Sequence, residues 1–272
     1  MKRPIVALLT DFGTRDPYVA QMKAVILSYR EDALLIDVTH EVEPFNELES
    51  AFLLASYAPY MPPGTIHLCV VDPGVGSKRR GIVLGTVRGD LFIGPDTGFM
   101  DPAAERLGLE AAYWIDEDRL PPRVSETFHG RDVFAHVVGR LAAGMSLEEI
   151  GRQVDDYRRM ELPQPLVRDR VIEATVMHVD RFGNLVTNLR PELLSKVLGS
   201  ERLRLSFRGG EIVCGFRRAY GFVEEGEPLL TVGGSGYVEL AINRGSAAER
   251  FRLKPGDRVR ISAAKNPSIL KG

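Results

Sequence analysis

The chain has 272 residues, 44% of them hydrophobic and 26% charged, with a formal net charge of −2 at pH 7. That length allows one large domain or two ordinary ones, and the composition is that of a globular protein rather than a disordered or fibrous one. The near-balanced charge gives no basic excess of the kind a nucleic-acid partner requires.

From the N-terminus, Ile5 to Thr10 is an apolar run that reads as a buried strand. It is too short for a signal-peptide core or a membrane span, it ends at Asp11, and no later run reaches the length of a span, so a cytoplasmic protein without a membrane partner is expected. Tyr18 to Tyr29 carries Val19, Met22, Val25 and Ile26 at helical spacing. Leu34 to Val38 is a second strand, and Glu47 to Tyr57 a second helix with Asn46 as its cap. Thr65 to Val71 follows the turn residues Pro62, Pro63 and Gly64 as a third strand. Ile82 to Val87 and Leu91 to Ile93 flank Arg88-Gly89-Asp90 as a hairpin, and Phe134 to Leu141 reads as a helix ending at Gly144. Beyond the linker-like segment from Glu161 to Leu166 the pattern changes to short strands punctuated by Gly and Asn, at Val171–Val179, Leu203–Phe207, Glu211–Val213, Leu229–Val232, Tyr237–Ile242 and Arg258–Ile261, with Pro191 to Leu198 the one helix. The reading is an α/β domain with a mostly parallel sheet over 1–165, then an all-β domain over 166–272, a small barrel or sandwich. Cys69 and Cys214 lie in apolar runs and read as buried free thiols.

Four short motifs carry candidate chemistry, each placed where a predicted strand ends, the usual ligand side of an open α/β sheet. Asp11, in Thr10-Asp11-Phe12-Gly13-Thr14, could accept two hydrogen bonds from a ribose diol or cap the next turn. Asp72-Pro73-Gly74-Val75-Gly76, followed by Arg79 and Arg80, has glycines that admit close backbone approach to a ligand, but lacks the Lys-Ser/Thr of a phosphate-binding loop. His129 precedes Gly130 and a helix, which suits a ring aimed into a cleft as well as a surface cap. In Asp180-Arg181-Phe182-Gly183-Asn184, Asp180 could hold an ammonium group, Phe182 could stack on a flat base, and Asn184 offers a donor–acceptor pair for an adenine edge; a plain β-turn competes with all three. His40, His67, His136 and His178 show no metal-ligand spacing, and no metal is expected.

Taken in order, TDFGTRDPYV, VVDPGVGS, FHGRDVFAH and VDRFGNLVTN resemble the SAM hydroxide adenosyltransferase family, relatives of the enzymes that fluorinate and chlorinate S-adenosyl-L-methionine (SAM). The resemblance spans both domains. It implies an N-terminal α/β domain, a C-terminal β-barrel, and a homotrimer whose sites lie at subunit interfaces. It implies hydrolysis of SAM to adenosine and L-methionine, with SAM the substrate and no cofactor. The family's ribose-binding aspartate falls on Asp11, and its water-handling Asp, Arg and His fall on Asp72, Arg79 and His129, with Arg80 adjacent to the arginine position. Phe45 falls against the ribose, Asp180 near the methionine amine, Ser235 at the methionine carboxylate, and Asn184, Asn243 and Arg244 near adenine. The fluorinating relatives carry hydroxyl residues near Asp72, Val75 and Gly130; here they are absent and Asp72 adds a negative charge, which disfavours a halide. The principal alternative is a SAM- or adenosine-binding sensor without turnover.

Overall fold

The computed structural model describes residues 3–264. The chain divides into two compact units, one ending at Leu162 and one beginning at Pro163.

The first unit contains β1 (Ile5–Thr10), α1 (Tyr18–Tyr29), β2 (Leu34–Thr39), α2 (Glu47–Tyr57), β3 (Ile66–Val70), β4 (Gly81–Thr86), β5 (Leu91–Pro95), α3 (Asp101–Arg106), β6 (Leu109–Ile115), α4 (Ala135–Ala142), α5 (Leu147–Ile150) and β7 (Gly151–Val154). Its seven-stranded sheet has the order β2-β1-β3-β5-β4-β6-β7. The block β2-β1-β3-β5 is parallel, and β4, β6 and β7 are added antiparallel. Alternation along the pleat sends side chains to two cores. Val6, Leu8, Leu68 and Val70 face one, with Met22 and Ile26 of α1 and Val137, Val138 and Leu141 of α4. Leu9, Cys69 and Val71 face the other, with Leu54 of α2 and Ala103 of α3. The result is a three-layer sandwich. β1 sits between β2 and β3, so the chain leaves it first to one side and then to the other, and the carboxyl ends of β1 and β3 meet at that reversal. Asn46 caps α2 as expected, its side chain accepting from the Glu49 N–H at 3.0 Å.

The second unit contains β8 (Leu166–Arg168), β9 (Val171–Val179), β10 (Leu185–Thr187), α6 (Pro191–Leu198), β11 (Arg202–Phe207), β12 (Gly210–Phe216), β13 (Pro228–Val232), β14 (Val238–Ile242), α7 (Ala247–Phe251) and β15 (Arg258–Ala263). The order β10-β14-β13-β12-β11-β15-β9 closes through a β10–β9 pairing, with β8 outside on β9. This is a closed barrel, so the barrel half of the barrel-or-sandwich expectation holds. β9 makes closure possible: Val171–Thr175 pairs with β15, the later residues pair with β10, and the register slips between Val186 and Thr187. Leu185, Leu205, Leu230, Leu240 and Ile261 fill the interior, plugged by Leu194 and Leu198 of α6.

Several elements were not anticipated. α3, α5, α7, β7, β8 and β10 are too short to display a period, and β6 opens Leu-Glu-Ala-Ala, residues that favour a strand weakly. The helix expected from Phe134 is preceded by a π-type turn over Gly130–Phe134. No helix among the described residues is long and apolar enough to cross a membrane.

Candidate active site

At the end of β1 the chain turns under local control. Thr10 Oγ1 is 2.9 Å from His40 Nδ1 and accepts from the Phe12 N–H at 3.2 Å, while His40 Nε2 meets Asp37 at 2.9 Å. His40 is therefore a brace of this turn. Asp11 is thereby presented beside the loop that follows β2. Its Oδ2 accepts from the Phe45 N–H at 2.9 Å, and Phe45 takes a left-handed φ of 64° and is 66% exposed. A left-handed conformation costs an aromatic residue about 1–3 kcal/mol, so the surroundings must hold it there. Burial pushes the Asp11 carboxyl above its usual range; the Phe45 N–H opposes the shift and the nearby charge of Asp72 adds to it.

At the end of β3, Asp72 is buried and its carboxylate organises the following loop. Oδ1 accepts from the Gly74 N–H at 3.2 Å and from Arg79 Nε at 3.0 Å, and Oδ2 accepts from Arg79 Nη2. This is a bidentate fork between side chains that are only 8% and 6% exposed. Arg79 Nη2 also lies 3.2 Å from His129 Nδ1, joining the three groups in one chain. The neighbouring Arg80 departs from it: its guanidinium stacks 3.9 Å over Trp114. Arg79 is thus the arginine of the constellation.

Three of the four motifs sit at strand ends, at Asp11 after β1, Asp72 after β3 and Asp180 after β9. The fourth does not. His129 is separated from β6 by the loop over 116–128 and stands at the head of the π-type turn. Asp132 fixes that loop, accepting from the Val124 and Ser125 N–H groups at 3.0 and 2.8 Å while Arg131 forks onto it. Gly130 is needed for fit: a Cβ there would lie 3.0 Å from Met22 Sδ and 3.2 Å from carbons of Phe12 and Phe128. The His129 ring is consequently buried, 2% exposed, and its Nε2 is a buried nitrogen without a hydrogen-bond partner among the described residues. Such atoms are rare enough to require an explanation. Burial, and then the positive charges of Arg123 and Arg79, pull the imidazole below its usual range.

Asp11, Phe12, Phe45, Asp72, Phe128 and His129 line a single pocket of about 310 Å³. Phe12, Tyr18 and Phe128 make its aromatic wall, packed edge to face with centroids 5.0–6.0 Å apart. These wall residues and Asp132 were not singled out from sequence, although all four lie inside the quoted TDFGTRDPYV and FHGRDVFAH segments.

The barrel carries a second pocket of about 580 Å³, lined by Asp180, Phe182, Asn184, Tyr220, Asn243 and Arg244 among others. Asp180 anchors the β9–β10 turn: Oδ1 accepts from the Phe182 and Asn184 N–H groups, both at 2.9 Å, and Oδ2 accepts from Asn184 Nδ2 at 2.8 Å. The turn reading and the site reading of this motif therefore coexist. Gly183 passes against Ser246 at φ 82°, where no side chain fits, and Phe182 is left 78% exposed. Asn243 donates to Val223 O at 2.8 Å and Arg244 pairs with Glu225 at 3.1 Å. Ser235 stands in the β13–β14 loop and is not among the residues lining this pocket. Tyr220 and the buried Glu239 behind it were not expected; no local motif marks either. Among the described residues, no three His, Cys, Asp or Glu side chains cluster closely enough to hold a metal ion.

An aromatic-walled pocket at the strand reversal of an α/β sheet, with a buried carboxylate and an open imidazole nitrogen side by side, defines the class: an enzyme acting on a small molecule. The chain belongs to the SAM hydroxide adenosyltransferase family, whose N-terminal domain model matches residues 6–151 and whose C-terminal domain model matches residues 174–260. It is 39% identical to an (R)-S-adenosyl-L-methionine hydrolase of Salinispora tropica, over 96% of this chain and 98% of that protein. It is 30% identical to a fluorinase of Actinopolyspora mzabensis, over 96% of this chain and 97% of that one. Among solved structures, an uncharacterized conserved protein from Thermotoga maritima superposes with a TM-score of 0.88 at 35% identity, covering 95% of this chain and 99% of the other.

Proposed function

We propose that this protein hydrolyses SAM to adenosine and L-methionine by in-line attack of one water at the ribose C5′. The observation that carries the reading is the unpartnered, buried Nε2 of His129 lining the same pocket as Asp72. The sulfonium of SAM leaves as a neutral thioether and needs no acid. What the reaction lacks in bulk solvent is a placed nucleophile, and positioning alone can supply up to roughly 7–11 kcal/mol in ideal model systems.

The hydrogen bonds divide the labour. Arg79 can only donate, so His129 Nδ1 accepts from it, and the neutral ring carries its proton on Nε2. That N–H donates to the water oxygen and orients it. Asp72 already accepts three hydrogen bonds, from the Gly74 N–H and twice from Arg79. A carboxylate has about four acceptor positions, so one remains for the water. In this scheme the O–C5′ bond forms as C5′–S breaks, the electron pair goes to sulfur, and the water's proton goes to Asp72. A base so placed adds about 10²–10⁴ in rate. Asp11 Oδ1 is the oxygen left for the ribose hydroxyls, and Phe45 covers the sugar. In the barrel, Asn184, Asn243 and Arg244 take adenine with Phe182 beside the ring, and Asp180 takes the methionine amine. Ser235 is assigned to the methionine carboxylate by resemblance.

A homotrimer, in which the first unit of one subunit and the barrel of its neighbour each supply half of a site, accounts for two pockets that each hold only part of this set. A substrate made and consumed inside cells agrees with a cytoplasmic location. The test is to supply SAM as each sulfonium epimer in H₂¹⁸O. Adenosine and methionine should form in equal amounts, with label in the adenosine 5′-hydroxyl and preference for the R epimer that the Salinispora relative's name specifies. Ligand retained without product would instead identify a sensor, and dependence on added chloride a halogenase.

A further inference from the structure

The barrel pocket contains a directional chain of polar groups that ends in a buried acid. The Asp180 carboxylate accepts from Asn184 Nδ2 at 2.8 Å, and the same nitrogen lies 3.5 Å from Tyr220 Oη. Tyr220 Oη in turn donates to Glu239 Oε1. Both amide protons of Asn184 are thus taken up by neighbouring side chains, the shorter bond going to Asp180, and its carbonyl oxygen is the atom left for a ligand. Glu239 is 3% exposed on β14, and among the described residues its carboxyl meets the Tyr220 hydroxyl and the like charge of Asp180 rather than a lysine or arginine. Burying a carboxyl without a cation is costly, and an apolar side chain would serve the barrel better, so its presence calls for a role beyond packing.

We infer that Tyr220, held by Glu239, is a positioning residue that works with Asp180 to keep the Asn184 amide with Oδ1 free for the ligand, making this site select a 6-amino purine over a 6-oxo purine. The inference rests on the reading that the barrel pocket receives the adenine ring. A fixed carbonyl accepts from the exocyclic amine of adenine. A 6-oxo base presents an acceptor at that position, so two acceptors would face each other and the hydrogen bond is lost. A free amide could rotate and satisfy either base; a locked one cannot.

Calorimetric titration of the full-length protein with adenosine and with inosine tests this without relying on turnover. The wild type should favour adenosine on the order of 100-fold. Tyr220→Phe keeps the ring but removes one of the two acceptors that hold the amide, leaving Asp180, and should reduce that ratio severalfold, with inosine gaining as adenosine loses. Glu239→Leu should copy it, whereas Glu239→Gln keeps an acceptor oxygen for Tyr220 and should retain most of the selectivity. Thermal melting confirms that each variant is folded; Tyr220→Phe alone decides the matter if Glu239→Leu does not fold. If Tyr220→Phe keeps the wild-type ratio while Asn184→Ala abolishes it, the positioning role is wrong and the adenine reading stands. If Asn184→Ala also leaves the ratio intact, the barrel pocket does not read adenine and both fall.

Discussion

Single atoms decide the chemistry proposed for this site. His129 contributes as a donor and Asp72 as an acceptor because the guanidinium between them has no lone pair to offer. Replacing Asp72 with Asn keeps the shape and removes the base, so turnover should fall about 10²–10⁴-fold while adenosine affinity stays close to wild type. His129→Ala should lose the water's second anchor and fall by a similar order. Single-turnover assays beside adenosine titrations separate these losses from a binding defect. The pH profile has a definite sign. His129 is held below its usual range by burial and by Arg123 and Arg79, so its neutral, donating form persists below the ordinary imidazole value of about 6.5. Turnover should therefore be level through that value and decline only at more acid pH, as protonation of Nδ1 sets it against Arg79. An acid limb centred at or above 6.5 in kcat would contradict the neutral-ring assignment.

At the scale of elements, the site depends on how tightly its supporting turns are packed. Gly130 opens the π-type turn between α1 and the aromatic wall, and a Cβ there meets Met22, Phe12 and Phe128 at 3.0–3.2 Å. Gly130→Ser should cost about 1–3 kcal/mol by overpacking. It should also shift the His129 ring, lowering turnover out of proportion to stability. Denaturant unfolding run beside the SAM assay tests this; unchanged stability and turnover would show that the wall yields freely. The loop carrying Phe45 has the opposite character, an exposed ring at a strained φ tethered by one carboxylate oxygen. Strain and exposure at a pocket rim are expected where a side chain serves a ligand rather than the fold. These features were partly legible in the sequence. Strands β1 and β3, helices α1 and α2 and the motifs at their ends follow from apolar runs and helical stripes of adequate length. β10 escapes the same logic because three residues contain no period, yet without it the barrel does not close.

For the whole molecule, the proposed trimer makes a prediction that a monomeric site cannot imitate. Asp72→Ala disables the first unit's pocket and Asn184→Ala the barrel's. If each site is built from two subunits, mixing the two inactive proteins under conditions that exchange subunits should restore a measurable fraction of wild-type activity, since mixed trimers contain some sites with both halves intact. Light scattering of the wild type should give the mass of three chains. A scattering mass of one chain, with no recovery on mixing, would count against shared sites.

The amino-acid sequence by itself determined the order of the main elements, the change from α/β to all-β, and the four motifs whose succession marks the family. Those are local properties, set by side-chain periodicity and by residues close together along the chain. Tertiary structure alone decided which of two adjacent arginines joins Asp72, since Arg79 and Arg80 differ only in what they meet, a carboxylate and an imidazole for one and an indole face for the other. It also decided that His129 Nε2 is left open, and that Tyr220 and Glu239 stand behind Asn184. Hydrogen-bond direction and burial are relations between groups far apart in sequence, and they come into being only when the chain has closed around them.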